Sequence, residues 1–315
     1  MIETHGIRKT YRAGSQTVEA VRGIDLTMGA GEIFGLLGPN GAGKTTFLRI
    51  LTTLTRPDSG TAVVAGVDVT RDPREVRRRI GFVAQGQWTW STLTAREELI
   101  MQARLYGMRK AAAARRADQA IRDFGMGSFA DRLCRTYSGG QRRRVDIALG
   151  IVHAPRVVFL DEPTSGLDPQ SRAHLWDEVR RLRDTGTTVV VTTHYLDEAD
   201  ALCDRVAIID HGQIVDLGTP RSLKDGIAGD LVTLGVDGDP ERTAGLLRDE
   251  PAVREAEVVD GRLRLVVAKG AETAPLLLRR LYDGGVGITS IEVHQPSLDD
   301  VFLARTGRSL RDQAE

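Results

Sequence analysis

The segment Gly38-Pro39-Asn40-Gly41-Ala42-Gly43-Lys44-Thr45 constrains this chain more than any other. It follows the pattern GxxxxGK[ST]. Just before it, Glu32-Ile33-Phe34-Gly35-Leu36-Leu37 is a short apolar run of buried-strand type, and after it a helix is predicted from Lys44, with Phe47, Leu48, Leu51 and Leu54 on its apolar face. A strand that turns through glycines into a helix points successive N–H groups inward at a helix N-terminus, an arrangement suited to a triphosphate. Lys44 brings a positive charge to the β and γ phosphates. Thr45 offers a hydroxyl to a Mg²⁺ that bridges them, and Thr46 closes the ATP-binding stretch. An ordinary Gly-rich turn is the weaker reading, because the motif sits between a strand and a helix as the mechanism demands. The motif alone leaves kinase, GTPase, motor and transporter ATPase open.

A second constellation narrows the chemistry. Val157-Val158-Phe159-Leu160-Asp161-Glu162 is an apolar strand that ends in two carboxylates. Side chains alternate along a strand, so the pair can divide labour: Asp161 would help hold Mg²⁺, directly or through water, and Glu162 would orient and deprotonate the attacking water. Asp-Glu at a strand end means little by itself and much when joined to a phosphate cradle upstream.

The rest of the chain organises around these motifs. The stretch to about Met28 reads as short strands separated by turns. Ala, Arg, Leu and Met dominate from about Thr94 to His153, so the region about 86–153 is predicted to be an all-helical insertion of three pieces, broken near Tyr106-Gly107 and Phe124-Gly125. Strand–helix alternation then returns: Pro169 opens a helix, and Thr188–Thr192 and Arg205–Asp210 are β-branched or apolar runs. Such runs between helices predict a parallel sheet covered on both faces. After about Gly226 a second unit reads strand (Leu231–Val236), helix (Pro240–Asp249), two strands meeting at Asp260-Gly261, helix (Ala271–Asp283), strand (Ile288–Val293) and a closing helix from Ser297. This is the β-α-β-β-α-β order of a split βαβ arrangement, with a hairpin signal at its centre. The predicted domains are therefore 1–226 and 227–315.

Composition excludes several classes. Hydrophobic residues at 41% and charged residues at 27% argue for a globular core and against disorder. Lys plus Arg and Asp plus Glu both number 43, so nothing global points to nucleic acid. The runs Arg77-Arg78-Arg79 and Arg142-Arg143-Arg144 read as solvated helix faces. Cys134 and Cys203 show no CxxC and no His at metal spacing, which suits free thiols in a reducing compartment. No secretory signal is visible at Met1–His5, and no apolar stretch approaches the roughly 18 residues a membrane span needs. A membrane role would run through a partner.

Tyr137-Ser138-Gly139-Gly140-Gln141, opening a helical pattern some twenty residues before the Asp-Glu strand, resembles the signature of ATP-binding-cassette (ABC) ATPases. The resemblance covers residues 1 to about 225, with all expected motifs in order. It implies a P-loop NTPase cassette: α/β, a mostly parallel sheet with antiparallel N-terminal strands and a helical insertion. It also implies a homodimer in the ATP-bound state, two cassettes head to tail, each ATP lying between one cradle and the other subunit's Ser138, Gly139, Gly140 and Gln141. Tyr11 looks like the aromatic residue that stacks on adenine, Gln85 like the glutamine that contacts Mg²⁺ and water, Ser165–Asp168 like the loop crossing the dimer interface, and His194 like the histidine touching the γ-phosphate. Taken singly, a Tyr on a strand, a Gln or a His at a strand end is more often packing. His5, His153, His174, His211 and His294 read as structural or exposed. Tyr137 departs from the usual leucine, beside the γ-phosphate donors. Trp88 and Trp90 follow Gln85 where this family faces its membrane partner; they are contact residues there or packing inside the insertion.

The ending Pro296-Ser297-Leu298-Asp299-Asp300-Val301-Phe302-Leu303 resembles that of daunorubicin-resistance-type ATPases, subunits of ABC-2 exporters with a small α+β C-terminal domain. The resemblance implies an ATPase powering efflux of a drug, natural product or lipid-like substrate through a multi-span membrane permease, at the cytoplasmic face of the membrane, with ATP and Mg²⁺ as cofactors. A soluble ABC ATPase without a transport role is the alternative; such proteins usually carry two cassettes or long coiled-coil insertions, and this chain has one signature and no sustained heptads. A nucleotide-dependent sensor or drug-binding protein is a third reading, opposed by the intact set Lys44, Asp161, Glu162 and His194.

Overall fold

In the computed structural model, which describes residues 1–13, 16–86, 89–227, 229–248, 250–259 and 261–308, the N-terminal stretch is not a set of short strands. It is one long antiparallel hairpin, β1 (Ile2–Ala13) with β2 (Gln16–Met28). The pairing shifts register after Thr4, Ile7 and Lys9, and Gly6 sits in the first shift with φ 57°. Each bulge inserts a residue without ending the ladder, so the alternation looks broken in the sequence where the strand is continuous.

β3 (Ile33–Leu37) leads into α1 (Lys44–Leu51). β4 (Ser59–Val64) and β5 (Val67–Asp68) complete a four-stranded sheet of order β2-β1-β4-β5. After α2 (Pro73–Arg79), the strands β6 (Ile80–Val83), β7 (Val157–Asp161), β8 (Thr188–Thr193), β9 (Arg205–Asp210) and β10 (Gln213–Gly218) join β3 in a six-stranded sheet of order β10-β9-β3-β8-β7-β6. Its pairs β3–β8, β3–β9, β6–β7 and β7–β8 are parallel.

α1 lies between the two sheets. Phe47, Leu48 and Leu51 share one core with Ile2, Met28 and Val64 of the first sheet and Phe34, Phe159 and Val190 of the second. Truncating a phenylalanine so enclosed costs about 3–5 kcal/mol, so the helix behind the Gly-rich turn is firmly anchored. Leu54 does not join it: the helix stops at Leu51, Thr53 turns the chain at φ 63°, and Leu54 is exposed.

Between β6 and β7 run α3 (Ala95–Leu105), α4 (Lys110–Asp123), a single 3₁₀ turn (Cys134–Thr136) and α5 (Gly139–Ile151). Gly107 and Gly125, both at positive φ, break the helices where glycine is tolerated and other residues are not. α3 starts with a capping box, Thr94 accepting from the Glu97 N–H while Glu97 accepts from Thr94. α5, α6 (Pro169–Asp184) and α7 (Leu196–Leu202) pack on the parallel sheet, and β7 and β8 are buried along their whole length. This is why Thr188–Thr193 is an unbroken run and not an alternating one.

The chain divides into two compact units at Leu217/Gly218, ahead of residue 226. In the second, β11 (Asp230–Val236), α9 (Pro240–Leu247), β12 (Val253–Val259), β13 (Arg262–Val267), α10 (Gly270–Asp283) and β14 (Ile288–His294) form an antiparallel sheet of order β12-β13-β11-β14. Val232, Leu234, Leu263, Leu265 and Val267 face Ala244 and Leu247 of α9 and Leu277 and Leu281 of α10. β12 and β13 pair up to Val259↔Arg262; Asp260 of the predicted turn lies outside the described residues, as does Asp249. α8 (Pro220–Asp225) packs on the closing helix α11 (Leu298–Thr306), which puts it in this unit. Among the described residues no helix is long and apolar enough to cross a membrane.

Candidate ATP-binding site

The turn from β3 into α1 is built on glycines that nothing else replaces. A Cβ at Gly38 would stand 2.1 Å from the Ile209 carbonyl oxygen, and one at Gly43, where φ is 102°, would stand 2.2 Å from that of Ala20. The loop therefore presses on β9 and β2 with bare backbone. Asn40, Gly41, Ala42, Gly43, Lys44, Thr45 and Thr46 line a cleft of about 580 Å³ whose other walls are Ala20, Gln85, Glu162, Ser165 and His194. Pro39 is buried beneath it.

Lys44 is buried, and its Nζ donates to the carbonyls of Gly38 (2.6 Å) and Pro39 (2.9 Å). Burial pushes its pKa down, while the nearby Glu162 and Asp161 carboxylates push it back up. Thr45 Oγ1 donates to Asp161 Oδ1 at 3.1 Å, which ties the start of α1 to the end of β7. Glu162 follows at φ 45°, left-handed backbone that a non-glycine residue adopts only when its surroundings hold it. Its Oε2 accepts from Gln85 Nε2 at 2.9 Å, and its Oε1 lies 3.4 Å from His194 Nδ1 and 4.0 Å from Lys44 Nζ. His194 Nδ1 makes no well-directed hydrogen bond there. Three residues from three separate segments thus converge on one carboxylate.

Three expected participants stand elsewhere. Tyr11, on β1, is 40% exposed and is not part of the cleft wall; Lys9 Nζ lies 5.7 Å from its ring centre. Ser138 caps α5, its hydroxyl accepting from the Gln141 N–H at 3.3 Å while Gln141 Oε1 accepts from the Ser138 N–H at 3.1 Å. Ser138 and Gly139 are exposed, with Gly140 beside them. Asp168 caps α6, and the Ser171 hydroxyl and N–H hold its carboxyl below the usual range. Tyr137, next to Ser138, turns its side chain into the insertion: it is buried, its hydroxyl donates to the Phe129 carbonyl at 2.9 Å, and burial pushes its pKa up to about 12.

Two contributors escaped sequence reasoning. Thr192, on β8, donates from Oγ1 to Asp161 Oδ1 at 2.6 Å and accepts at 2.9 Å from the Glu162 N–H. Arg143 corrects the reading of its triplet as a solvated face: it is 7% exposed and donates to the carbonyls of Pro163 (2.8 Å), Ala84 (3.0 Å) and Asp161 (3.2 Å). A β-branched residue inside a β-branched run, and an arginine among arginines, carry no local sequence signal of either role.

Of the tryptophans, Trp90 is 63% exposed on the rim of a 250 Å³ groove that also takes in Phe82, Glu98 and Met101, whereas Trp88 lies outside the described residues. His153 is structural, stacked on Tyr106 with ring centres 3.7 Å apart.

A glycine-walled cradle at a helix N-terminus, a buried lysine and a carboxylate held by glutamine with a histidine beside it define a nucleotide-hydrolysing P-loop cassette. The ABC transporter family model matches residues 21–165, and the model for the C-terminal domain of DrrA1-3-like ATP-binding proteins matches residues 218–306. The daunorubicin/doxorubicin resistance ATP-binding protein DrrA of Streptomyces peucetius is 45% identical over 99% of this chain and 94% of its own length. The linearmycin resistance ATP-binding protein LnrL of Bacillus subtilis is 36% identical over 99% of this chain and 100% of its own. An ATP-binding cassette solved as a post-hydrolysis dimer with ADP and Pi superposes with a TM-score of 0.64 at 27% identity, over 70% of this chain and 98% of that one. The chain belongs to the ATP-binding subunits of ABC transporters, in their drug-resistance branch, and is an ATPase.

Proposed function

We propose that this subunit powers export of a drug, natural product or lipid-like compound through a separate multi-span permease, docked on it at the cytoplasmic face of the membrane. The convergence of Gln85, His194 and Lys44 on Glu162 carries the reading of the site. Lys44 and the loop N–H groups bind the β and γ phosphates. Glu162 accepts a proton from the attacking water, a role worth about 10²–10⁴ in rate. Gln85 orients that carboxylate, and His194 donates toward the γ-phosphate. The side-chain oxygens of Thr45, Gln85 and Asp161 are the hard donors that Mg²⁺ takes, and the two that touch do so at 3.1 Å. When bound there, Mg²⁺ neutralises phosphate charge.

The exposed helix start at Ser138–Gly140, which does not line the cleft of its own chain, supports a head-to-tail homodimer in which it meets the partner's γ-phosphate. Tyr11 and Asp168 are proposed to meet adenine and the dimer interface. Exposed Trp90 and Met101 support the permease facing the groove beside α3. Relatives named for daunorubicin, doxorubicin and linearmycin resistance support a drug or natural product as the cargo.

The test is Glu162→Gln. The variant is expected to bind ATP, elute as a dimer with it and turn over far more slowly than wild type. Wild-type turnover would remove Glu162 as the base. Affinity capture from gently solubilised host membranes tests the partner: a stoichiometric multi-span protein is expected, and recovery with ribosomes or DNA-repair proteins alone would overturn the transport reading.

A further inference from the structure

We propose that Arg143 is a positioning residue that sets the Gln85–Glu162 pair from within the helix that carries the signature motif, an inference that rests on reading Glu162 as the base. Arg143 lies five residues into the chain from Ser138, on α5, and its guanidinium is enclosed by backbone. Its three hydrogen bonds are not scattered. Ala84 is the residue before Gln85, and Asp161 and Pro163 are the residues on either side of Glu162. The backbone on both sides of the 2.9 Å hydrogen bond between Gln85 and Glu162 is therefore tied to one planar group.

The chemistry of the group matters. A guanidinium presents donors in a rigid fork, so three carbonyls bound to it are fixed relative to each other. An ammonium on a flexible stem imposes no such geometry. Enclosing a guanidinium is costly, and burial pushes the Arg143 pKa down against the pull of Asp146, Asp161 and Glu198. An apolar side chain would fill the position without that cost but would leave three carbonyls without their donor.

The consequence is mechanical. α5 belongs to the insertion, whereas Gln85 and Glu162 follow strands of the parallel sheet. A tilt of α5 moves Arg143, and with it the segments that place the glutamine and the carboxylate. Because the exposed end of α5 is the surface offered to the second nucleotide, engagement there would be felt at the base of the same chain. Arg143 acts through Glu162 and touches no reacting atom.

The experiment uses the full chain in steady-state and single-turnover ATPase assays on Arg143→Lys, Arg143→Met, Glu162→Gln and the double variant Arg143→Lys/Glu162→Gln, with thermal unfolding of each. Both single Arg143 variants are expected to lose about tenfold or more in kcat with KM for ATP changed less than about twofold, the mark of an interaction expressed in the transition state. The double variant is expected to be no slower than Glu162→Gln alone, because the pathway it would damage is already gone. Wild-type kcat in the Arg143 variants would overturn the proposal. So would losses that multiply in the double variant, as an independent packing role would give. Should Arg143→Met fail to fold, Arg143→Lys, which keeps the charge, carries the same comparison. If Glu162→Gln turns over like wild type, the base reading falls and this inference with it. If Glu162→Gln is inactive and the Arg143 variants are normal, this inference alone falls.

Discussion

Thr192 Oγ1 lies 2.6 Å from Asp161 Oδ1, so a hydroxyl on one strand holds the carboxylate that ends its neighbour. The same oxygen accepts from the Glu162 N–H, where the chain takes its left-handed turn. One small side chain thus restrains both members of the acidic pair.

Replacing Thr192 with valine keeps shape and volume but removes that oxygen. A hydrogen bond to a charged group contributes about 1.5–3 kcal/mol, equivalent to roughly ten- to a hundredfold in rate if felt only in the transition state. Turnover of Thr192→Val is expected to fall by that order with ATP affinity unchanged, and Thr192→Ser is expected to restore most of it. Steady-state kinetics of the three forms decide the point; a valine variant as fast as wild type would remove Thr192 from the site.

Gly43→Ala is expected to abolish nucleotide binding and lower stability together. The added carbon meets the Ala20 carbonyl oxygen at 2.2 Å and the backbone is already left-handed, which costs a non-glycine residue about 1–3 kcal/mol before any clash. Gly41→Ala isolates the clash, since Gly41 is left-handed too, at φ 81°, but a Cβ there has nothing within 4 Å. Thermal unfolding with and without ATP should separate the two variants.

Glu178, on α6, gives a pH signature remote from the nucleotide. It is 6% exposed, its Oε2 has no hydrogen-bond partner, and burial pushes its pKa up to about 7 from 4.5. The folded state therefore holds a proton that the unfolded chain releases. That contribution to stability is complete below about pH 4.5 and is lost as pH rises to about 7, a total on the order of 3 kcal/mol. Glu178→Gln should unfold at higher temperature than wild type at pH 8, with a flatter pH dependence and unchanged ATPase activity. Equal melting temperatures at pH 8 would contradict the assignment.

The parts of the site legible in the sequence are those that local chain geometry specifies. Gly38–Thr46 announces itself because a cradle needs consecutive residues, and Asp161-Glu162 because two adjacent carboxylates end an apolar strand. Thr192 and Arg143 were illegible: their roles come from carbonyls and carboxylates 18 to 59 residues away in the chain. The fold shows the same division. The second unit's strands and helices were readable from alternation and Asp-Gly, whereas the long hairpin was obscured by bulges. The seven-residue α2 escaped although Asp72 caps it and Pro73 opens it, because so short a helix has little periodicity to display.

β6 and β7 are hydrogen-bonded neighbours running parallel, and everything from Ala84 to Arg156 is the crossover that joins them. The sheet places no demand on how long that crossover is or what it contains. A chimaera could exchange the helical module for that of a relative and leave the strand order untouched, so its exposed faces can diversify provided that Gln85 and Ser138–Gln141, which lie within the crossover, come with it. The boundary of such a transplant is not free, however: a donor module without an equivalent of Arg143 would arrive without its fastening to the strands that receive it.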